Sequence, residues 1–322
     1  MSRFPRLADL TTDVEGWGFF LCTSKQTRTG RSGSDFLILT LQDVSAQKVA
    51  KIFDDIERFG AQFESGEFVR VEGKGTFYNG QMQLVLSSIR RVHAEQDRLE
   101  GFREEECVLS APRPIDEMWS ELTGRVAAME NPHLRVLLSR ILTDHAEQLR
   151  EWPAAQVIHH AYRGGFLEHI VKMAEVGSLI ARAYGADADL VLAGVILHDI
   201  GKLQELAYEA GTASYTRDGN LLGHIALGLI LVREAASGVS GFPPELRSRL
   251  EHLVLSHHGT REHGSPTEPK TVEAFILATV DELDARLHQV RRAVREDAGD
   301  GEFTAWHKRL ARVLYKGPEG SS

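Results

Sequence analysis

At His198-Asp199 an imidazole and a carboxylate stand side by side where the apolar run 190–197 ends, so a single turn of backbone offers a metal ion one nitrogen and one oxygen ligand. Ten of the fourteen histidines fall between His159 and His288, and His169, His224, the pair His257-His258 and Asp281 are the companions placed to join that turn. Taken singly, each is explained as a hydrogen-bonded core histidine or carboxylate. Taken together they are not, because five imidazoles and two carboxylates buried in one core leave too many polar groups to satisfy without an ion. A metal centre built from His169, His198, Asp199, His224, His257, His258 and Asp281 is therefore expected. Imidazole with carboxylate suits manganese, iron or zinc better than calcium.

Helices must position these groups. In 165–184 the stripe Phe166, Met173, Val176 and Ile180 includes His169. In 187–199, with Asp187 as N-cap, Val191, Val195 and His198 share a face, and in 243–258 Leu246, Leu250, Leu253 and His257 do so before Gly259 ends the helix. Asp281 sits in 274–287 on the face of Leu277 and Asp284. Pro114-Ile115 opens an earlier helix, Asn131-Pro132 caps another to about Leu149, and a helical tail is expected over 290–315. No alternating pattern follows Trp119, so the C-terminal two-thirds reads as all-α.

Residues 16–92 follow a different period. Five short alternating runs, one of them Asp35-Phe36-Leu37-Ile38-Leu39-Thr40-Leu41, are interrupted by a helix-like stretch over 53–63 and predict a small closed β-barrel of the OB type. The loop after the first strand carries Lys25, Arg28 and Arg31. With Phe36 and Tyr78 these are the candidates for contacting a phosphate backbone and stacking bases. Residues 1–95 hold 12 basic and 12 acidic side chains, so the whole net charge of −9 falls with the histidines, where bound cations accommodate it. Cys22 and Cys107 provide neither a disulfide framework nor a CxxC site. The longest clean apolar run is far below a membrane span and the first residues lack a signal-peptide core, so a cytoplasmic protein without a membrane partner is expected.

His169, His198-Asp199 and Asp281 resemble the H…HD…D signature of the HD superfamily of metal-dependent phosphohydrolases, and His224 with His257-His258 resemble the further ligands of its two-metal members. The strings around them are similar to the YhaM family of 3'-5' exoribonucleases: His159-His160-Ala161-Tyr162-Arg163-Gly164-Gly165-Phe166-Leu167-Glu168-His169, Gly223-His224-Ile225, Leu255-Ser256-His257-His258-Gly259, Gly264-Ser265-Pro266 and Asp281-Glu282-Leu283-Asp284-Ala285. The barrel departs from that family at Ala46 and Phe53, where glycine and tryptophan are usual.

The resemblance implies a multidomain chain: an OB-fold nucleic-acid-binding domain over 1–95, a charged linker with leading helices over 96–152, and an all-α HD domain over 153–322. It implies two divalent cations, manganese first, with iron, zinc, cobalt or magnesium as alternatives. His169, His198, Asp199 and Asp281 would hold one, and Asp199 would bridge to a second on His224 and His257, with His258 as a further candidate. Such a pair activates water for in-line attack at phosphorus, here at the 3' end of single-stranded RNA, with single-stranded DNA as a further substrate and nucleoside 5'-monophosphates as products. Asp199 and Lys202 would be catalytic, Lys202 neutralising phosphoryl oxygens. His160 and Arg163 would border the substrate, and Asp284 would orient a ligand histidine. Homo-oligomerisation is left open. A nucleotide or cyclic-dinucleotide phosphohydrolase is the alternative enzyme, although Gly259-Thr260-Arg261 replaces the acidic residue and Gly-Tyr-Pro of the cyclic-dinucleotide branch. A non-catalytic nucleic-acid-binding protein is the other alternative.

Overall fold

The computed structural model describes residues 2–30, 33–78, 80–108, 110–152, 162–209, 212–297 and 299–317. The chain divides into two compact units, Met1–Ser110 with Tyr208–Thr212, and Ala111–Ala207 with Ala213–Ser322.

In the first unit five strands close a barrel: β1 (Glu15–Thr29), β2 (Asp35–Gln42), β3 (Gln47–Ile52), β4 (Phe68–Tyr78) and β5 (Gln81–Arg91). Neighbours are antiparallel except β3 and β5, which run parallel after the crossover through the short helix α1 (Ile56–Gly60). Closure comes from β1. Its first half, Glu15 to Leu21, pairs with β4 and the remainder pairs with β2 across a bulge at Cys22/Ser24. Strand alternation puts Leu37, Leu39 and Leu41 of β2 inside with Val69 and Val71 of β4 and Leu84 of β5, and this inner face is the core. The chain is thus an OB-type barrel followed by a helical unit, as the periodicities indicate.

The helix expected over 53–63 is shorter, and the contacts at its end bear on the reading of Lys25. Helix ends leave carbonyls without partners, and Lys25 Nζ takes that of Gly60, the last residue of α1, at 3.0 Å and that of Phe63 in the segment beyond at 2.6 Å, while pairing with Glu64 at 2.8 Å. This ammonium fastens the end of α1 to the barrel and is not presented to a ligand.

The second unit contains α2 (Ile115–Ala127), α3 (Pro132–Asp144), α4 (Gly165–Ala183), α5 (Ala188–Leu197), α6 (Arg217–Ser237), α7 (Pro244–Ser256) and α8 (Val272–Glu296). Four of these starts are capped by side chains: Asn131 accepts from His133 and Leu134, Asp187 from Leu190, Thr216 from Gly219 and Thr271 from Ala274. Every residue from Leu190 to Leu197 is buried, which makes α5 the axis of the core, with α4, α7 and α8 packed around it. By length and composition α6 could cross a membrane; here its Leu227, Leu231, Val232 and Ala236 are buried. A two-stranded hairpin, Leu206–Glu209 with Thr212–Tyr215, precedes α6.

The tail departs from expectation. Helix α8 stops at Glu296, ahead of Gly299 and Gly301, and Asp297 accepts from Ala305 N–H and pairs with Lys316. The segment beyond forms a narrow loop bridged at Phe303/Tyr315 and His307/Arg312.

Candidate metal centre

The helix ends explain how the site is aimed. His198 follows the last residue of α5 and His257 the last of α7, where backbone carbonyls lack helical partners. His198 donates from Nδ1 to the Val195 carbonyl at 2.9 Å, and His257 from Nδ1 to the Val254 carbonyl at 2.7 Å. Since a carbonyl can only accept, the proton is on Nδ1 and Nε2 carries the lone pair. The other three rings are held through the same atom. Nδ1 of His258 donates to the His263 carbonyl at 2.9 Å, that of His169 to Asp284 Oδ2 at 2.7 Å, and that of His224 to Glu205 Oε1 at 3.2 Å. Five imidazoles are thereby locked in the tautomer a cation requires.

Their free faces meet in two adjoining groups. His169, His198 and Asp281 form one, and Asp199, His224, His257 and His258 the other, with ligand atoms within 4.8 Å of one another in each. Asp199 joins them. Its Oδ2 lies 3.2 Å from His198 Nε2, while Oδ1 lies 3.4 Å from His224 Nε2 and 3.6 Å from His257 Nε2. Asp281 Oδ1 is 3.3 Å from His169 Nε2 and 4.0 Å from His198 Nε2. Lys202 Nζ donates to Asp199 Oδ2 at 2.6 Å.

The residues fit divalent cations. Among the described residues, Nε2 of His198, His224 and His257 and Oδ1 of Asp199 are buried and make no hydrogen bond. An unsatisfied buried polar atom costs about 1–3 kcal/mol, so four facing one another mark a place for an ion. Burial works against charge on Asp199, but Lys202 and His198 outweigh it and hold the carboxyl well below the usual range. Burial lowers His257, and burial with the neighbouring His257 brings His258 down to about 4, so both rings stay neutral. On His169 burial again opposes charge, yet hydrogen bonds to Asp281 and Asp284 prevail and push it up to about 9; a cation there displaces a proton.

Two features escaped the sequence. Glu205 holds His224 with no local pattern to announce it. Gly201 brings α6 against the His198-Asp199 turn: a Cβ there would lie 2.0 Å from the His224 carbonyl oxygen. The residues expected to meet substrate fare differently. Arg163 pairs with Glu151 at 2.7 Å and does not face the cluster as a bare cation. His160 and Arg31 lie outside the described residues. On the barrel, Arg28 is exposed, with Gln26 Oε1 3.3 Å away. Phe36 packs its ring 5.5 Å from that of Phe53, which is 52% exposed, and Lys51 lies 4.7 Å over the ring of the exposed Tyr78.

Comparison with known proteins agrees with both units. Residues 166–286 match the HD domain and residues 21–92 an OB-fold nucleic acid binding domain. The HD match implies divalent-metal binding. The chain is 36% identical over 288 residues to the 3'-5' exoribonuclease YhaM of Bacillus subtilis (strain 168), covering 89% of each. It is 36% identical over 301 residues to that of Halalkalibacterium halodurans, covering 92% of each, and 36% identical over 290 residues to that of Geobacillus sp. (strain WCH70), covering 89% of this chain and 86% of the relative. With both domains matched and near-complete coverage of these relatives, the chain is a phosphodiester hydrolase that belongs to the YhaM family of 3'-5' exoribonucleases.

Proposed function

We propose that this protein is a metal-dependent exoribonuclease that shortens single-stranded RNA from its 3' end to nucleoside 5'-monophosphates, with single-stranded DNA as a further substrate. The observation that carries the reading is Asp199, whose two oxygens face two separate groups of imidazoles. His169, His198, Asp199 and Asp281 would hold one divalent cation, and Asp199, His224, His257 and His258 a second; manganese suits the nitrogen and oxygen donors. When bound, such a pair activates water near neutral pH and neutralises charge that develops on phosphoryl oxygens. The protein's own part is to fix the ligands. Nδ1 anchors hold the imidazoles, and Asp284 does this for His169. Lys202 keeps Asp199 ionised, and its ammonium is the side chain to meet an equatorial phosphoryl oxygen.

We assign residues 1–95 to nucleic-acid binding, 96–152 to a charged linker with the leading helices, which pack into the core of the second unit, and 153–322 to hydrolysis. On the barrel, Arg28, Phe36 and Tyr78 are the contacts we assign to single strands, with Phe53 and Lys51 beside them. Purified protein with Mn2+ and 5'-labelled single-stranded RNA is expected to give a ladder shortening from the 3' end. Chelation and Asp199→Ala are each expected to abolish it. Intact RNA alongside dephosphorylation of free nucleotides would replace this reading with a nucleotide phosphohydrolase.

A further inference from the structure

Glu205 belongs to neither ligand group, yet its Oε1 accepts twice from one residue: the main-chain N–H of His224 at 2.9 Å and the ring Nδ1–H of His224 at 3.2 Å. The cause is a break in α6. Gly223 takes φ +72° and ψ 159°, a backbone open to glycine, so the helix stops and starts again at His224. A helix start leaves N–H groups without intrahelical acceptors, and a carboxylate is favoured there both as acceptor and by the helix dipole. Glu205 supplies that carboxylate from another element. It is itself well held: its carbonyl accepts from Thr216 N–H at 2.9 Å, and the Thr216 hydroxyl donates to the Gln204 carbonyl at 2.8 Å. At Gly219 a Cβ would lie 2.1 Å from the Glu205 carbonyl oxygen, so only glycine lets α6 close on this turn.

We propose that Glu205 is the positioning residue of one cation site alone. By capping the restart of α6 and fixing His224 with its proton on Nδ1, it sets the affinity of the group Asp199, His224, His257 and His258, and leaves the group His169, His198 and Asp281 unaffected. The two groups are built unequally. His169 and His198 are fully buried on α4 and at the end of α5, in the continuous core. His224 stands at a discontinuity that one external carboxylate stabilises. The lever is the carboxylate–imidazole–cation relay, whose outer partner is worth about 10–100-fold in metal affinity.

The inference rests on the two-cation reading, and Mn2+ titration of the full-length protein separates the two. Wild type is expected to bind two ions. Glu205→Ala should bind one with unchanged affinity, which also reports that the core is folded, and the other about 10–100-fold more weakly. Glu205→Gln, whose amide oxygen still accepts, should recover most of the loss. Glu205→Ala/His224→Ala should be no weaker than His224→Ala. Imidazole nitrogen NMR of metal-free Glu205→Ala should show His224 shifting towards the Nε2–H tautomer, a change that loss of packing alone does not produce. Fewer than two ions on wild type would sink the two-cation reading and this inference with it. Two ions on wild type with both retained in Glu205→Ala, both weakened alike, or further loss in the double variant would overturn the role of Glu205 only.

Discussion

Gly201→Ala adds one methyl group where α6 crosses the His198-Asp199 turn. Gly201 has φ −64° and ψ −17°, an ordinary right-handed conformation, so alanine brings no backbone strain and the effect is steric. The new Cβ would lie 2.0 Å from the His224 carbonyl oxygen and 2.5 Å from the Gly228 nitrogen, whereas real Cβ atoms stay beyond 3.0 Å. Both neighbours are main-chain atoms of a packed helix, so no flexible side chain can yield. The backbone around His224 must retreat by about 1 Å, the difference between 2.0 Å and 3.0 Å. His224 carries that displacement to a ring now 3.4 Å from Asp199 Oδ1. Overpacking of this kind costs about 1–3 kcal/mol, which a large helical core survives. A displacement of about 1 Å at a reacting centre costs on the order of 100-fold in rate. The variant should therefore melt cooperatively at a reduced Tm, with kcat on a single-stranded oligoribonucleotide lowered about 100-fold. Wild-type kcat in a folded Gly201→Ala protein would refute the reasoning, because the clash would then have been absorbed without moving His224.

Other expectations follow from the barrel. Tyr78→Ala and Phe53→Ala should each weaken binding of single-stranded RNA, by about 1–3 kcal/mol if a base stacks there; unchanged fluorescence anisotropy titrations would remove them from the binding face. Lys25→Met should lower the melting temperature of the barrel while leaving the salt dependence of RNA binding as in wild type, since its ammonium is bound to Gly60, Phe63 and Glu64; a shallower salt slope would return Lys25 to the phosphate contacts. Asp97 is buried against Arg90, whose hydrogen bonds hold the carboxyl below its usual 3.8 despite burial. A depressed folded pKa means the stabilisation is fully present above about pH 4 and drains away as pH falls through the folded value. Denaturant melts should thus show a flatter acid limb for Asp97→Asn, and an identical acid limb would exclude the pair as its source.

The parts legible in sequence are those with a local period or a paired chemical type. Alternation gave the barrel and its inward Leu37, Leu39 and Leu41, and the helical stripes brought His169, His198 and His257 to one core. What stayed hidden depends on chain segments returning from a distance. Lys25 reads as a loop cation until the carbonyls at 60 and 63 come back to meet it. Glu205 is one more acidic residue until the broken helix presents the His224 N–H to it. The tail over 290–315 reads as helix, but Gly299 and Gly301 follow the point where the run ends.

The histidines at the ends of α5 and α7 bring more than their rings. Both helices finish at the cluster with their carboxyl ends, and each such end carries roughly half an elementary negative charge from aligned peptides. The carbonyl ends of α5 and α7 therefore turn negative main-chain charge towards the centre, opposite the positive end that α6 presents where it restarts at His224. Exchanging a ligand changes the grip on the ion, while the carbonyl ends of α5 and α7 stay aimed at it whatever the side chains.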